Sequence, residues 1–167
     1  MQTNIRSLKK VAVIMGSDSD LAVMEKAIEV LKELEIPFDV HILSAHRTPL
    51  QAAAFASQAQ SKGYGVFIAA AGKAAHLAGV LAAHTLLPVI GVPMETKELK
   101  GIDSLFSTVQ MPSGVPVACV SIGKAGARNA GILALQILSL NNDKLAKRLA
   151  EFKKGLVAAI REKNKKI

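Results

Sequence analysis

Two short polar seams in this chain carry the residue types that proton transfer and phosphate recognition need. The first is Ser44-Ala45-His46-Arg47-Thr48-Pro49, where an apolar segment gives way to an alanine-rich one. An imidazole is the side chain best suited to exchange protons near neutral pH, and a guanidinium offers a planar fork to a phosphate or carboxylate. Thr48-Pro49-Leu50-Gln51 reads as a capping box with proline at the first helical position. The second seam, Gly16-Ser17-Asp18-Ser19-Asp20, follows an apolar run and precedes a helical pattern. Hydroxyls from Ser17, Ser19 and Ser44, the free backbone N–H groups of a helix start near Asp20, and the Arg47 fork together suit a phosphate monoester. Asp20 would repel phosphate but accept hydrogen bonds from sugar hydroxyls, which points to a nucleotide-like sugar phosphate. Taken alone, Gly16 to Asp20 also reads as an ordinary strand-to-helix turn.

A third segment, Gly72-Lys73-Ala74-Ala75-His76-Leu77, leads from a strand pattern into a small-residue helix. It is not a P-loop, because Phe67 stands where the loop glycine belongs and Ala74 where a magnesium-binding hydroxyl belongs. No GxGxxG follows the first strand and there is no G-x-S-x-G elbow. His41, His46, His76 and His84 have neither i, i+4 spacing nor an HExxH context, and Cys119 is the only cysteine, so the sequence offers no metal set. Acid-base chemistry by histidine remains, with His46 as the catalytic candidate. His76 reads either as a ligand contact or as a helix-start residue; His41 and His84 read as structural or surface residues.

The elements that position these seams alternate. Strands are predicted at Val11 to Met15, Phe38 to Leu43, Val66 to Ala71, Val89 to Val92 and Val115 to Ile122. Helices are predicted at Leu21 to Leu34, from Thr48 to near Gly63, through Thr85, at Asp103 to Gln110, at Ala125 to Leu140 and at Asp143 to Glu162. Such alternation specifies an α/β fold, a parallel sheet covered by helices on both faces. Ligands then sit beyond the carboxyl ends of the strands, so the loops after the first three strands share one edge and can share one pocket. The Ala125 to Leu140 helix is apolar nearly all round and is expected to be buried on most sides. The long connection from Met94 to Gly114 would be unusual unless functional.

Composition bounds the rest. A length of 167 residues fits a single domain, 1–167, with its core at about 9–140. Apolar residues make up 50% but aromatics only 4%, so the core is built from small aliphatic side chains. No apolar run approaches the roughly 18 residues of a membrane span, and Met1 to Arg6 lacks the apolar stretch of a secretory leader. With one cysteine, read as an inert core residue, this predicts a cytoplasmic protein. Of the net charge of +8, the segment from Asp143 onward contributes nine basic against three acidic residues. No run of aromatics interleaves there to stack on bases, so the tail reads as a solvated helix face and not as a nucleic-acid site.

In order along the chain, several stretches resemble the N5-carboxyaminoimidazole ribonucleotide mutases of de novo purine biosynthesis. They are Met15 to Asp20, Ser44 to Pro49, Ala74 to Leu77, Pro88 to Pro93, Asp103 to Pro112 and Ile122 to Ala130. The resemblance implies a flavodoxin-like three-layer αβα sandwich with a five-stranded parallel sheet and an extra C-terminal helix. It also implies a homo-octamer with pockets where subunits meet, and transfer of a carboxylate from the exocyclic nitrogen to C4 with no metal, ATP or organic cofactor. By the same resemblance, Ser17, Ser19, Ser44 and Arg47 grip the phosphate, Asp20 holds the ribose, Gly16 is a further substrate-binding residue, and His46 is the acid-base residue. Ala45, Gly72, Lys73, Ala74, His76 and Leu77 line the carboxylate and base pocket.

The chain departs from many such proteins at Lys73, where they carry glycine, and at Ala78, where they carry proline. Either Lys73 points away from a loop that binds through its backbone, or its ammonium adds a charge near the substrate carboxylate. Two rival functions share the pattern: direct carboxylation of aminoimidazole ribonucleotide by carbon dioxide, and a noncatalytic sugar-phosphate-binding module. The apolar stripe Leu145, Leu149, Phe152, Leu156 and Ile160 is expected to pack on a neighbouring subunit.

Overall fold

In the computed structural model, which describes residues 8–167, five strands form one parallel sheet: β1 (Lys10–Met15), β2 (Phe38–Ile42), β3 (Tyr64–Ala71), β4 (Val89–Pro93) and β5 (Ala118–Cys119). Their order is β2-β1-β3-β4-β5, with every pairing parallel. That is the flavodoxin-like arrangement, whose reversal in strand order lies between β1 and β3. The helices are α1 (Leu21–Glu33), α2 (Pro49–Gln58), α3 (Leu77–Ala83), α4 (Ile102–Val109), α5 (Gly123–Ser139) and α6 (Asp143–Asn164). The absence of a leader in Met1 to Arg6 is a reading that lies outside the described residues. Among the described residues, no helix is long and apolar enough to cross a membrane.

Alternation along β1 divides the core. Val11, Val13 and Met15 face a cluster with Met24, Ala27, Leu31, Ala130 and Leu135 from α1 and α5. Ala12 and Ile14 face the opposite cluster with Ala52, Ala56, Leu77 and Leu81 from α2 and α3. Small side chains let the layers approach closely. At Gly131 an added Cβ would lie 3.0 Å from Val30 Cβ, which fixes how near α5 runs to α1. At Gly91 it would strike the Thr108 methyl, so β4 and α4 are in direct contact.

Four expectations change. The fifth strand is two residues long instead of eight, because Pro116 has no N–H to give and β5 is an edge strand with one neighbour. Helix α5 buries one face, Gly126, Ala127, Ala130, Gly131, Ala134 and Leu135, while Lys124, Ala125 and Asn129 are exposed. Thr48 does not cap α2; its hydroxyl accepts from Ser44 N at 2.8 Å and donates to Ser44 O at 3.1 Å. The α6 stripe is divided: Leu145 is buried and Leu149 and Phe152 pack on the chain's own core, whereas Leu156 and Ile160 are exposed.

Candidate active site

The carboxyl ends of β1, β2, β3 and β4 open into a cavity of about 550 Å³. Each of the thirteen residues singled out from the sequence lines it: Gly16, Ser17, Ser19, Asp20, Ser44, Ala45, His46, Arg47, Gly72, Lys73, Ala74, His76 and Leu77. The sheet registers bring these loops together. Leu43 N donates to Met15 O at 2.9 Å and Gly16 N to Ala70 O at 3.0 Å, so β2 and β3 flank β1 as the chain leaves the sheet.

After β1 the chain makes a short 3-10 turn, Asp18–Asp20, capped by Ser17. Ser17 Oγ accepts from Ser19 N at 3.3 Å and from Ser19 Oγ at 2.9 Å, and donates to Asp18 at 3.1 Å. The two hydroxyls are thus side by side at the cavity wall. Partial burial raises the Asp20 carboxyl above its ordinary pKa; a backbone hydrogen bond from Ser17 opposes this and repulsion from Asp18 adds to it. Gly16 has ordinary space around a would-be Cβ, 3.6 Å from Ala70 O, so packing within the chain does not demand a glycine there.

After β2 the chain folds back on Ser44. Its Oγ accepts from His46 N at 3.3 Å and Arg47 N at 3.1 Å, and the Thr48 hydroxyl ties down its backbone. This turn sends neighbouring side chains in different directions. Arg47 reaches the β1 loop and donates from Nη2 to Gly16 O at 2.8 Å. His46 reaches the β3 loop, with Nε2 2.7 Å from His76 Nδ1 and the two rings nearly perpendicular at 84°. One nitrogen donates and the other accepts, so the proton positions of the two rings are coupled. The structure thus places His76 both at the start of α3 and against His46.

Sequence reasoning missed the fourth wall, Met94, Glu95, Thr96, Lys97 and Glu98 after β4. Met94 N donates to Ala71 O at 3.0 Å, and the nearly buried Thr96 donates to Asp103 at 2.8 Å while accepting from Gly101 N. Ser104 Oγ closes the segment on Met94 O at 2.6 Å. The length of the connection was the available signal; its residue types gave none.

Lys73 has a left-handed backbone, φ 56°, and its ammonium lies 3.7 Å from Glu98 across the rim of the cavity. Of the remaining histidines, His41 lies against Phe55 outside the cavity, the rings tilted by 56°, and His84 is exposed. Cys119 is half-buried, which pushes its thiol pKa up. Among the described residues, no group of three or more His, Cys, Asp or Glu is placed to hold a metal ion. The arrangement can hold an anion among the Ser17, Ser19 and Ser44 hydroxyls and the Arg47 guanidinium, with the Asp20 carboxylate beside them for sugar hydroxyls and the His46 imidazole lining the same cavity.

Residues 10–158 match the family model described as AIR carboxylase. The N5-carboxyaminoimidazole ribonucleotide mutase of Haemophilus influenzae is 53% identical over 146 residues, covering 87% of this chain and 89% of that protein. The mutase of the same name from Bacillus subtilis is 55% identical over 141 residues, covering 84% and 87%. The crystal structure of Treponema denticola PurE superposes with a TM-score of 0.86 at 26% identity, covering 95% of this chain and 98% of that one.

Proposed function

The chain belongs to the AIR carboxylase family, and from that premise we infer that it is an N5-carboxyaminoimidazole ribonucleotide mutase, an isomerase of purine biosynthesis. The names of its relatives support the reaction. The observation that carries the residue assignment is the opposed reach of adjacent side chains, Arg47 to the β1 loop and His46 to the β3 loop. The ribonucleotide phosphate is held by Ser17, Ser19, Ser44 and Arg47, the ribose by Asp20, and the imidazole ring with its carboxylate by Ala45 and the Gly72 to Leu77 loop.

With the phosphate gripped on one side, His46 donates a proton to the exocyclic nitrogen as the N–C bond to the carboxylate breaks. The products are carbon dioxide and an electron-rich enamine, whose C4 attacks the carbon dioxide. The C4 proton then returns to His46 and the ring regains aromaticity, so the cycle closes with no net gain or loss of protons. Every atom that moves belongs to the substrate or to His46, and the proposal calls for no cofactor or metal. Holding carbon dioxide against C4 matters most, since effective molarities for well-oriented groups reach roughly 10⁵ M or more. The grip on the distant ribose phosphate supplies binding energy for that confinement.

We assign the protein to the cytoplasm and to a homo-octamer, as a single domain with no nucleic-acid or membrane partner. The one half-buried thiol and the exposed apolar half of α6 support these assignments. The family description keeps a second reaction in view, direct carboxylation of aminoimidazole ribonucleotide. The test supplies purified protein with N5-carboxyaminoimidazole ribonucleotide, or with aminoimidazole ribonucleotide plus bicarbonate. Faster turnover of the first is expected; much faster turnover of the second would overturn the choice, and binding without turnover of either would leave a noncatalytic module.

A further inference from the structure

Lys73 is the one cavity residue whose backbone conformation disfavours it. A side chain at φ 56° costs about 1 kcal/mol relative to glycine, yet the position holds a long cationic one. That side chain lines the cavity, three residues before His76, which touches His46. Its only ion-pair partner among the described residues is Glu98, on the wall that forms after β4. The pair is loose: 3.7 Å apart, with the side chains 74% and 61% exposed. Ion pairs of that kind are weak and readily exchanged. Glu98 is held on a segment that is itself anchored, through Thr96 to Asp103 and Met94 to Ser104. The lysine can therefore leave its partner without the wall collapsing.

We propose that Lys73 is a specificity-determining residue whose ammonium exchanges Glu98 for the carboxylate of the bound ribonucleotide, with Glu98 acting as the competing counter-ion that tempers the affinity. This rests on the function inferred above and assigns the charge that selects carboxylated over uncarboxylated ligand. The other charged groups lining the cavity are Arg47 and Lys97, which are basic, and Asp20 and Glu95, which are acidic. Arg47 is already engaged on Gly16 O.

The test measures dissociation constants for two ligands, the carboxylated product and plain aminoimidazole ribonucleotide, by calorimetry on the intact protein. Lys73→Met keeps the backbone strain and the stem but removes the charge. It is expected to weaken the carboxylated ligand about two- to fivefold, the size of an exposed charge pair, and to leave the uncarboxylated ligand unchanged. Glu98→Gln is expected to tighten the carboxylated ligand about two- to threefold, and to have no such effect in the Lys73→Met background. Lys73→Gly relieves the strain, so it should melt higher than wild type while showing the same loss of discrimination as Lys73→Met. Equal effects of Lys73→Met on both ligands, or a Glu98→Gln effect that survives without the lysine, would overturn the proposal. Wild-type isomerase activity is measured alongside. Its absence would remove the functional premise, whereas an active wild type with an unchanged affinity ratio in Lys73→Met would remove only the role of Lys73.

Discussion

His46 and His76, thirty positions apart, meet through one hydrogen bond of 2.7 Å between Nε2 and Nδ1. The contact orients the His46 ring without using Ser17, Ser19, Ser44 or Arg47, the groups proposed to grip the phosphate. Proton transfer and ligand binding are therefore separable. His46→Asn should lower kcat by roughly 10³- to 10⁴-fold, while the dissociation constant of the product stays within about threefold of wild type. Equal losses in rate and binding would make His46 mainly a ligand contact.

Thr48 makes a different prediction from the one its sequence context suggested. As a helix cap it would matter to α2; in the structure it joins both backbone groups of Ser44. Thr48→Val keeps the shape and removes the hydroxyl. It should cost about 1 to 2 kcal/mol of stability, and should raise KM because the Ser44 hydroxyl and Arg47 lose their fixed geometry. Thermal unfolding and steady-state kinetics separate the two effects; a stability loss with normal KM would leave Thr48 a purely local tie.

Asp20 links binding to stability through pH. Its carboxyl is raised from 3.8, first by loss of water around it, so the folded protein holds that proton more tightly than the unfolded chain. Stability is then lost as pH rises from the unfolded value through the folded one, and the charged form is a liability at neutral pH. Asp20→Asn should raise Tm at pH 7, with the gain fading as pH falls from the raised folded value toward 3.8 and gone below it. If Asp20 holds the ribose as proposed, the same change should raise KM about tenfold. A constant Tm difference across pH would show that burial of the charge is not the cause.

The polarity of the strands explains why most of this site was legible in advance. β1, β3 and β4 are buried apolar runs, and in an alternating pattern their loops must emerge on one edge. Lengths were harder to read than identities, because Val115 to Ile122 looks like β3 in composition but pairs at only two positions at the sheet edge. The wall after β4 escaped notice for a different reason. Glu95, Lys97 and Glu98 are ordinary surface types, and only the buried tie of Thr96 to Asp103 makes them cavity residues. Spacing along the chain carries no trace of that hydrogen bond.

Helix α6 offers a test of assembly, provided the perturbation is placed correctly. Removing the chain after Asn142 would delete Leu145, which is 1% exposed in the chain's own core. It would also delete Arg148, which donates to Leu34 O at 2.9 Å and Glu35 O at 3.1 Å and closes the end of α1. Such a protein would misfold whether or not it assembles. The distal half is free of that problem: Leu156 and Ile160 are 49% and 56% exposed and lie one turn apart on the same face. If that face packs on a neighbouring subunit, Leu156→Glu with Ile160→Glu should produce smaller particles by light scattering while the circular dichroism of the folded subunit is retained. Activity should fall with the particle size if pockets are completed across subunits, because separated subunits would carry incomplete sites. A doubly substituted protein that keeps the wild-type particle size would place any assembly surface elsewhere.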